Sequence, residues 1–177
     1  ERKAQTKAAN SARRGNVDPM WRKVKRATTR HERATYITPQ EITLKKELVR
    51  RGLDVQQQMP CLQFNLDLTT GNVAVEIHST HYLESSKERR RLMKILNEGW
   101  HMICVNTGAH CTQIDTLAVA DQIVAFCESL CGNPPPTRKY WMVRSNGNLS
   151  ASGSYDGKTL TVVGRSRGRD KVWRINN

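Results

Sequence analysis

The stretch from Cys61 to His81 constrains this chain most, because its pattern suits two strands and a turn and little else. Leu62, Phe64, Leu66 and Leu68 alternate with Cys61, Gln63, Asn65 and Asp67, the two-residue period of a strand with one apolar and one polar face. Thr69-Thr70-Gly71-Asn72 reverses the chain, and Val73, Val75 and Ile77 resume the apolar face, with Ala74, Glu76 and His78 opposite. A hairpin of these strands brings Asp67 and Glu76 to one patch.

Two carboxylates beside an imidazole need compensation, which a hard divalent cation with oxygen ligands supplies. Mg²⁺ takes one or two protein carboxylates and leaves its other positions to water and phosphate oxygens. Asp67 and Glu76 are therefore candidate ligands for Mg²⁺ (or Mn²⁺) in phosphodiester hydrolysis. The competing reading is a solvated edge on which Asp67, Glu76 and His78 face water.

The same residues carry a resemblance. Asp67, eight intervening residues and Glu76-Ile77-His78 resemble the D…(D/E)xK signature of the PD-(D/E)XK nuclease superfamily, with His78 where lysine is usual. Thr38-Pro39-Gln40-Glu41, a helix ending Arg51-Gly52-Leu53, then Glu88-Arg89-Arg90, Leu96 and Gly99-Trp100 resemble the core of very-short-patch-repair (Vsr-like) endonucleases. The resemblance covers about residues 20–106. A Vsr-like subgroup of homing endonucleases uses Glu, Asp and His at its centre, which is similar to Glu41, Asp67 and His78 or His81. It implies an α/β, restriction-endonuclease-like mixed sheet flanked by helices, and a metal-dependent DNA endonuclease of homing type. In that enzyme Asp67 and Glu76 hold the metal, His78 or His81 positions or deprotonates the attacking water, and Glu41 supports the metal waters. The Cys- and His-rich zinc site of repair enzymes has no matching motif. The rival readings are a non-catalytic nucleic-acid-binding protein that keeps a nuclease-like core, and a mismatch-repair nickase.

Charge points to the same partner. The 177 residues carry a formal +13, but unevenly: residues 1–35 are net +8, residues 138–177 net +7, and the middle net −2. Basic flanks around a slightly acidic middle suit a polyanion gripped by the ends, double-stranded DNA first and RNA second. Candidate phosphate contacts are Arg13, Arg14, Arg22, Lys23, Lys25 and Arg26 near the start, and Arg165, Arg167, Arg169 and Lys171 near the end. No apolar run has the length of a membrane span, and no hydrophobic leader opens the sequence, so the expectation is a soluble intracellular protein, cytoplasmic or nucleoid-associated. A phage or mobile-element origin fits the homing resemblance. Five cysteines without framework spacing favour reduced thiols, and no CxxC pair anchors a zinc site among His101, Cys104, His110 and Cys111.

The chain divides into a basic arm (1–35), an α/β core (36–132), a proline-rich linker (133–137) and a basic β extension (138–177). Thr38 is an N-cap, Pro39 the first helical residue and Glu41 the capping-box partner of a helix stopped by Gly52. A second helix spans Glu84 to Glu98, with Leu92, Ile95 and Leu96 inward and Lys87, Arg89, Arg90, Arg91 and Lys94 mostly outward. Trp100 to Val105 reads as a buried strand and Asp115 to Ser129 as a third helix. Beyond the prolines come four short strands turned at Asn146-Gly147 and Asp156-Gly157.

Overall fold

A computed structural model describes residues 18–35, 37–78, 85–108, 113–131, 137–166 and 169–176. Arg13, Arg14, His81, His110, Cys111, Arg167 and the three prolines lie outside the described residues, as do the side chains of Arg165 and Arg169. The described elements are four helices, α1 (Met20–Arg33), α2 (Pro39–Arg50), α3 (Ser86–Asn97) and α4 (Thr116–Glu128), and eight strands. The strands are β1 (Gln56–Cys61), β2 (Phe64–Thr70), β3 (Val73–His78), β4 (His101–Asn106), β5 (Arg138–Arg144), β6 (Leu149–Tyr155), β7 (Thr159–Ser166) and β8 (Arg169–Asn176).

All eight strands form one sheet in sequence order. Pairing is antiparallel except for β3 with β4 and β4 with β5, which are parallel and bridged by α3 and α4. The fold is α/β with a mixed sheet. The four strands beyond the prolines are present, and they continue the sheet, with β5 pairing along β4 from Met102↔Tyr140 to Asn106↔Arg144. Tyr140 and Met142 accordingly pack with Leu92 and Met102 in one core. This polar meander is thus supported by a central sheet, which a two- to four-stranded piece needs.

Helices cover both faces. Leu92, Met93, Ile95 and Leu96 of α3 pack on one face against Ala74, Met102, Cys104, Tyr140 and Leu160. Leu44 and Leu48 of α2 join Val119, Ile123 and Phe126 of α4 on the other, against Val73, Val75, Ile103, Val105 and Val143. The expected polar face of β3, with Ala74 and Glu76, is therefore a second core face. Leu117, at the start of α4, is exposed.

The hairpin before β3 also departs from the simple alternation. The chain reverses at Leu62-Gln63, between paired Cys61 and Phe64, so the strand begins at Phe64 and Cys61 ends β1. Leu62 sits at φ 53, a left-handed conformation an apolar residue seldom takes, and it is exposed, whereas Cys61 is buried. Pro60 is tolerated because β1 is an edge strand.

Candidate active site

The local chemistry starts from a double distortion. The β1–β2 ladder runs Gln56↔Thr69, Gln57↔Leu68, then skips to Met59↔Leu66. The omitted pair is Gln58 with Asp67. Gln58 has φ 52, costly for a residue with a Cβ. On β2 the consequence is a change of face: Leu66 packs with the α3-side core, while Leu68, two residues on, packs with the α2/α4-side core. The expectation that Leu66 and Leu68 share one face is corrected here. Asp67 lies at the crossover, where the β2–β3 ladder has ended at Leu68↔Val75, and its Oδ2 accepts the free Ile77 N–H at 2.8 Å.

This places Asp67 between two other carboxylates. Glu41, 3% exposed, arrives from the first turn of α2. Its Oε1 accepts from the Thr38 N–H at 3.1 Å and the Thr38 hydroxyl at 2.9 Å, and its Oε2 accepts from Gln58 Nε2 at 2.9 Å. The predicted capping box is present, and it commits Oε1, while the strained Gln58 commits Oε2. Glu76 stands on β3, 1% exposed, facing α3.

Arg91 reaches in from α3. Its Nη2 lies 2.6 Å from Glu76 Oε2 and donates to Asn65 O at 3.0 Å, while Nη1 is 3.5 Å from His78 Nε2. The guanidinium also lies 5.4 Å from the Phe64 ring centroid. The sequence reading put Arg91 on an outward basic face; the structure turns it to the carboxylates. Oε1 of Glu76 has no hydrogen-bond partner among the described residues.

Electrostatics follow from these contacts. Burial, reinforced by the Glu41 charge, pushes the Asp67 carboxyl up to about 6, against the Ile77 N–H and Arg91. Burial and then the Asp67 charge hold Glu76 well above the usual carboxylate range, and Arg91 opposes this only in part. His78 is held below its ordinary value, first by burial, with Glu88 3.9 Å away pulling it up and Arg91 pushing it down. Burial leads, so the imidazole is neutral at pH 7 and able to accept a proton.

The structure thus brings Glu41, Asp67, Glu76 and His78 to the level where β2 and β3 part. His78 is the last residue of β3, and the carboxyl ends of parallel strands are a usual place for ligands in α/β sheets. Among the described residues no three His, Cys, Asp or Glu side chains form a metal cage. Mg²⁺ needs no such cage, since one or two carboxylates suffice. The oxygen donor set and the orphaned Glu76 Oε1 fit a hard cation held by Asp67 and Glu76.

The basic candidates separate. Arg22 and Arg26 on α1 both pair with Asp18, the former at 3.3 Å, and Arg22 lies 5.3 Å from the Trp21 ring centroid. Lys25 is exposed, Lys23 half-buried, and Lys171 exposed on β8. Two site residues escaped the sequence reading, Gln58 and the inward turn of Arg91. The only signal for either was position, the last of the run Gln56-Gln57-Gln58 and one helical turn past Glu88.

No helix among the described residues is long and apolar enough to cross a membrane. Comparisons with family models, curated proteins and solved structures find no match to this chain.

Proposed function

We propose that this chain is a metal-dependent DNA endonuclease that hydrolyses phosphodiester bonds at specific sites in the manner of homing enzymes, with Asp67 and Glu76 as metal ligands. The observation that carries the reading is the convergence of these two carboxylates, both held above their usual range, around a Glu76 oxygen with no partner. A buried excess of negative charge is costly unless protons or a cation relieve it. Bound Mg²⁺ would supply Lewis-acid polarisation of a phosphate and a more acidic water. The chain's own residues supply the rest. Neutral His78 accepts a proton from the nucleophile, Glu41 fixes the first turn of α2 and Gln58 beside Asp67, and Arg91 neutralises Glu76 or faces the phosphate. The mixed sheet with helices on both faces is the coarse architecture that the Vsr-like resemblance implies.

The Arg91–Glu76 pair also favours a second reading, a non-catalytic nucleic-acid-binding protein in which the guanidinium takes the cation's place. Thermal melts at pH 8 with increasing Mg²⁺ separate the two. The nuclease reading expects a stabilisation that Asp67→Asn removes; equal responses of both proteins would reject the ligand assignment.

A further inference from the structure

The geometry points to a nucleic-acid path over helix α3, leading from the edge strand β8 to the carboxylates. Consecutive residues on a helix point about 100° apart, so Arg89, Arg90 and Arg91 face three directions. Arg91, with Glu88 one turn before it, turns to the carboxylate site. Arg90 lies on the outer ridge with Lys87 and Lys94, and all three are exposed. Arg89 turns the other way, toward β8, the sheet's edge strand.

There Arg89, Val172, Trp173, Arg174, Ile175 and Asn176 line a groove of about 460 Å³, with no carboxylate among the described residues of its wall. Lys171, 5.2 Å from the Trp173 ring centroid, extends the positive rim. Trp173 and Ile175 pack against the α3-side core, which fixes β8 beside the helix. Among the described residues the exposed cations of the ridge lead from the groove toward Arg91, and the carboxylates met at that end are Glu88, Asp67 and Glu76. Lys87 to Lys94 spans about 10 Å of helix axis, a length over which one strand of a duplex presents about three phosphates. This charge complementarity favours DNA as the occupant. Cations on an edge strand also discourage strand pairing, but that role does not require the ridge on α3. The direction of the path rests on the nuclease reading; binding along it does not.

The test is a salt titration of duplex binding in Ca²⁺, with Arg90→Ala/Lys171→Ala compared with wild type, Lys171 sharing the β8 face of Trp173. Lys46→Ala/Arg50→Ala, which removes two cations from α2 on the opposite face, is the control, and Lys87→Ala/Lys94→Ala is a second path variant. Each lost phosphate contact flattens the dependence of log affinity on log salt by up to about 0.9, so each path variant is expected to lose up to about 1.8 and the control nothing. An unchanged slope in both path variants, an equal loss in the control, or no duplex binding by wild type would overturn the path. So would binding to anionic-lipid vesicles that the path variants lose while duplex binding is unaltered. Cleavage is scored separately. An uncleaved duplex with the path effect intact removes the nuclease reading alone, and cleavage with unaltered slopes removes the path alone.

Discussion

Arg91 Nη2 lies 2.6 Å from Glu76 Oε2, joining helix α3 to a carboxylate that is almost wholly buried on β3. Breaking a buried pair from one side leaves an uncompensated charge, whereas removing both partners together costs far less. Arg91→Ala is therefore expected to destabilise the protein at pH 8 on the order of 3 kcal/mol, and Glu76→Gln/Arg91→Ala to recover much of that loss. Urea melts of the four proteins in the cycle measure the coupling. Additive effects would mean that the pair does not balance the site's charge.

Asp67 makes stability depend on pH in a stated direction. Its ordinary value is 3.8 and its folded value about 6, so the folded state holds the proton more tightly. That contribution is complete below about pH 4 and is lost as pH rises through about 6, at about 1.36 kcal/mol per unit. Discounted for partial exposure, the loss is on the order of 2 kcal/mol. Asp67→Asn keeps an oxygen for the Ile77 N–H and should be more stable than wild type at pH 8 but no more stable at pH 4. Melts at the two pH values decide it, and a difference independent of pH would contradict the argument.

How much of this was legible depended on whether the cause was local. Thr38-Pro39-Gln40-Glu41 is capping chemistry within four residues, and α2 begins as read. Gly147 and Gly157, at φ 81 and φ 96, end strands where the sequence places turns. The turn at Leu62 gave no such sign, because an apolar residue held left-handed looks like one more tooth of the alternation. The exchange of faces between Leu66 and Leu68 was hidden for a related reason: it comes from the skipped Gln58–Asp67 pair, a property of two strands together. That Asp67 and Glu76 come near one another was legible from the strand pattern around them. Arg91 was not, because in Arg89-Arg90-Arg91 only the tertiary position of Glu76 selects which one turns inward. The pairing of β5 with β4 joins residues too far apart in sequence for any window to couple.

On the nuclease reading, His78 is the expected source of an acidic limb in the pH dependence of cleavage. Burial lowers its value below 6.5, so it is a neutral base at pH 7 and loses that capacity only when protonated in acid. Lysine in its place stays charged to about pH 10. His78→Lys should cut the rate at pH 7 by about 10²-fold, the scale of general-base assistance, and change the shape of the pH–rate profile. Should the profile keep its shape, the role passes to another group, His81 being the candidate named from the sequence.

Thr38→Ala removes the hydroxyl that Glu41 N and Oε1 share, at a cost of about 1 kcal/mol. Because Glu41 then hangs on Gln58 alone among its side-chain partners, a small fall in cleavage is expected beside the fall in melting temperature. Lost stability with full cleavage would confine Glu41 to capping.

The most direct measurement is cleavage of supercoiled plasmid by wild type and Asp67→Asn, with and without Mg²⁺, alongside duplex binding by both. The account predicts nicked or linear product only with wild type and Mg²⁺ (or Mn²⁺), and near-equal binding by the variant, since the substitution removes a metal ligand and no basic contact. Cleavage without divalent metal, or full activity of Asp67→Asn, would contradict it.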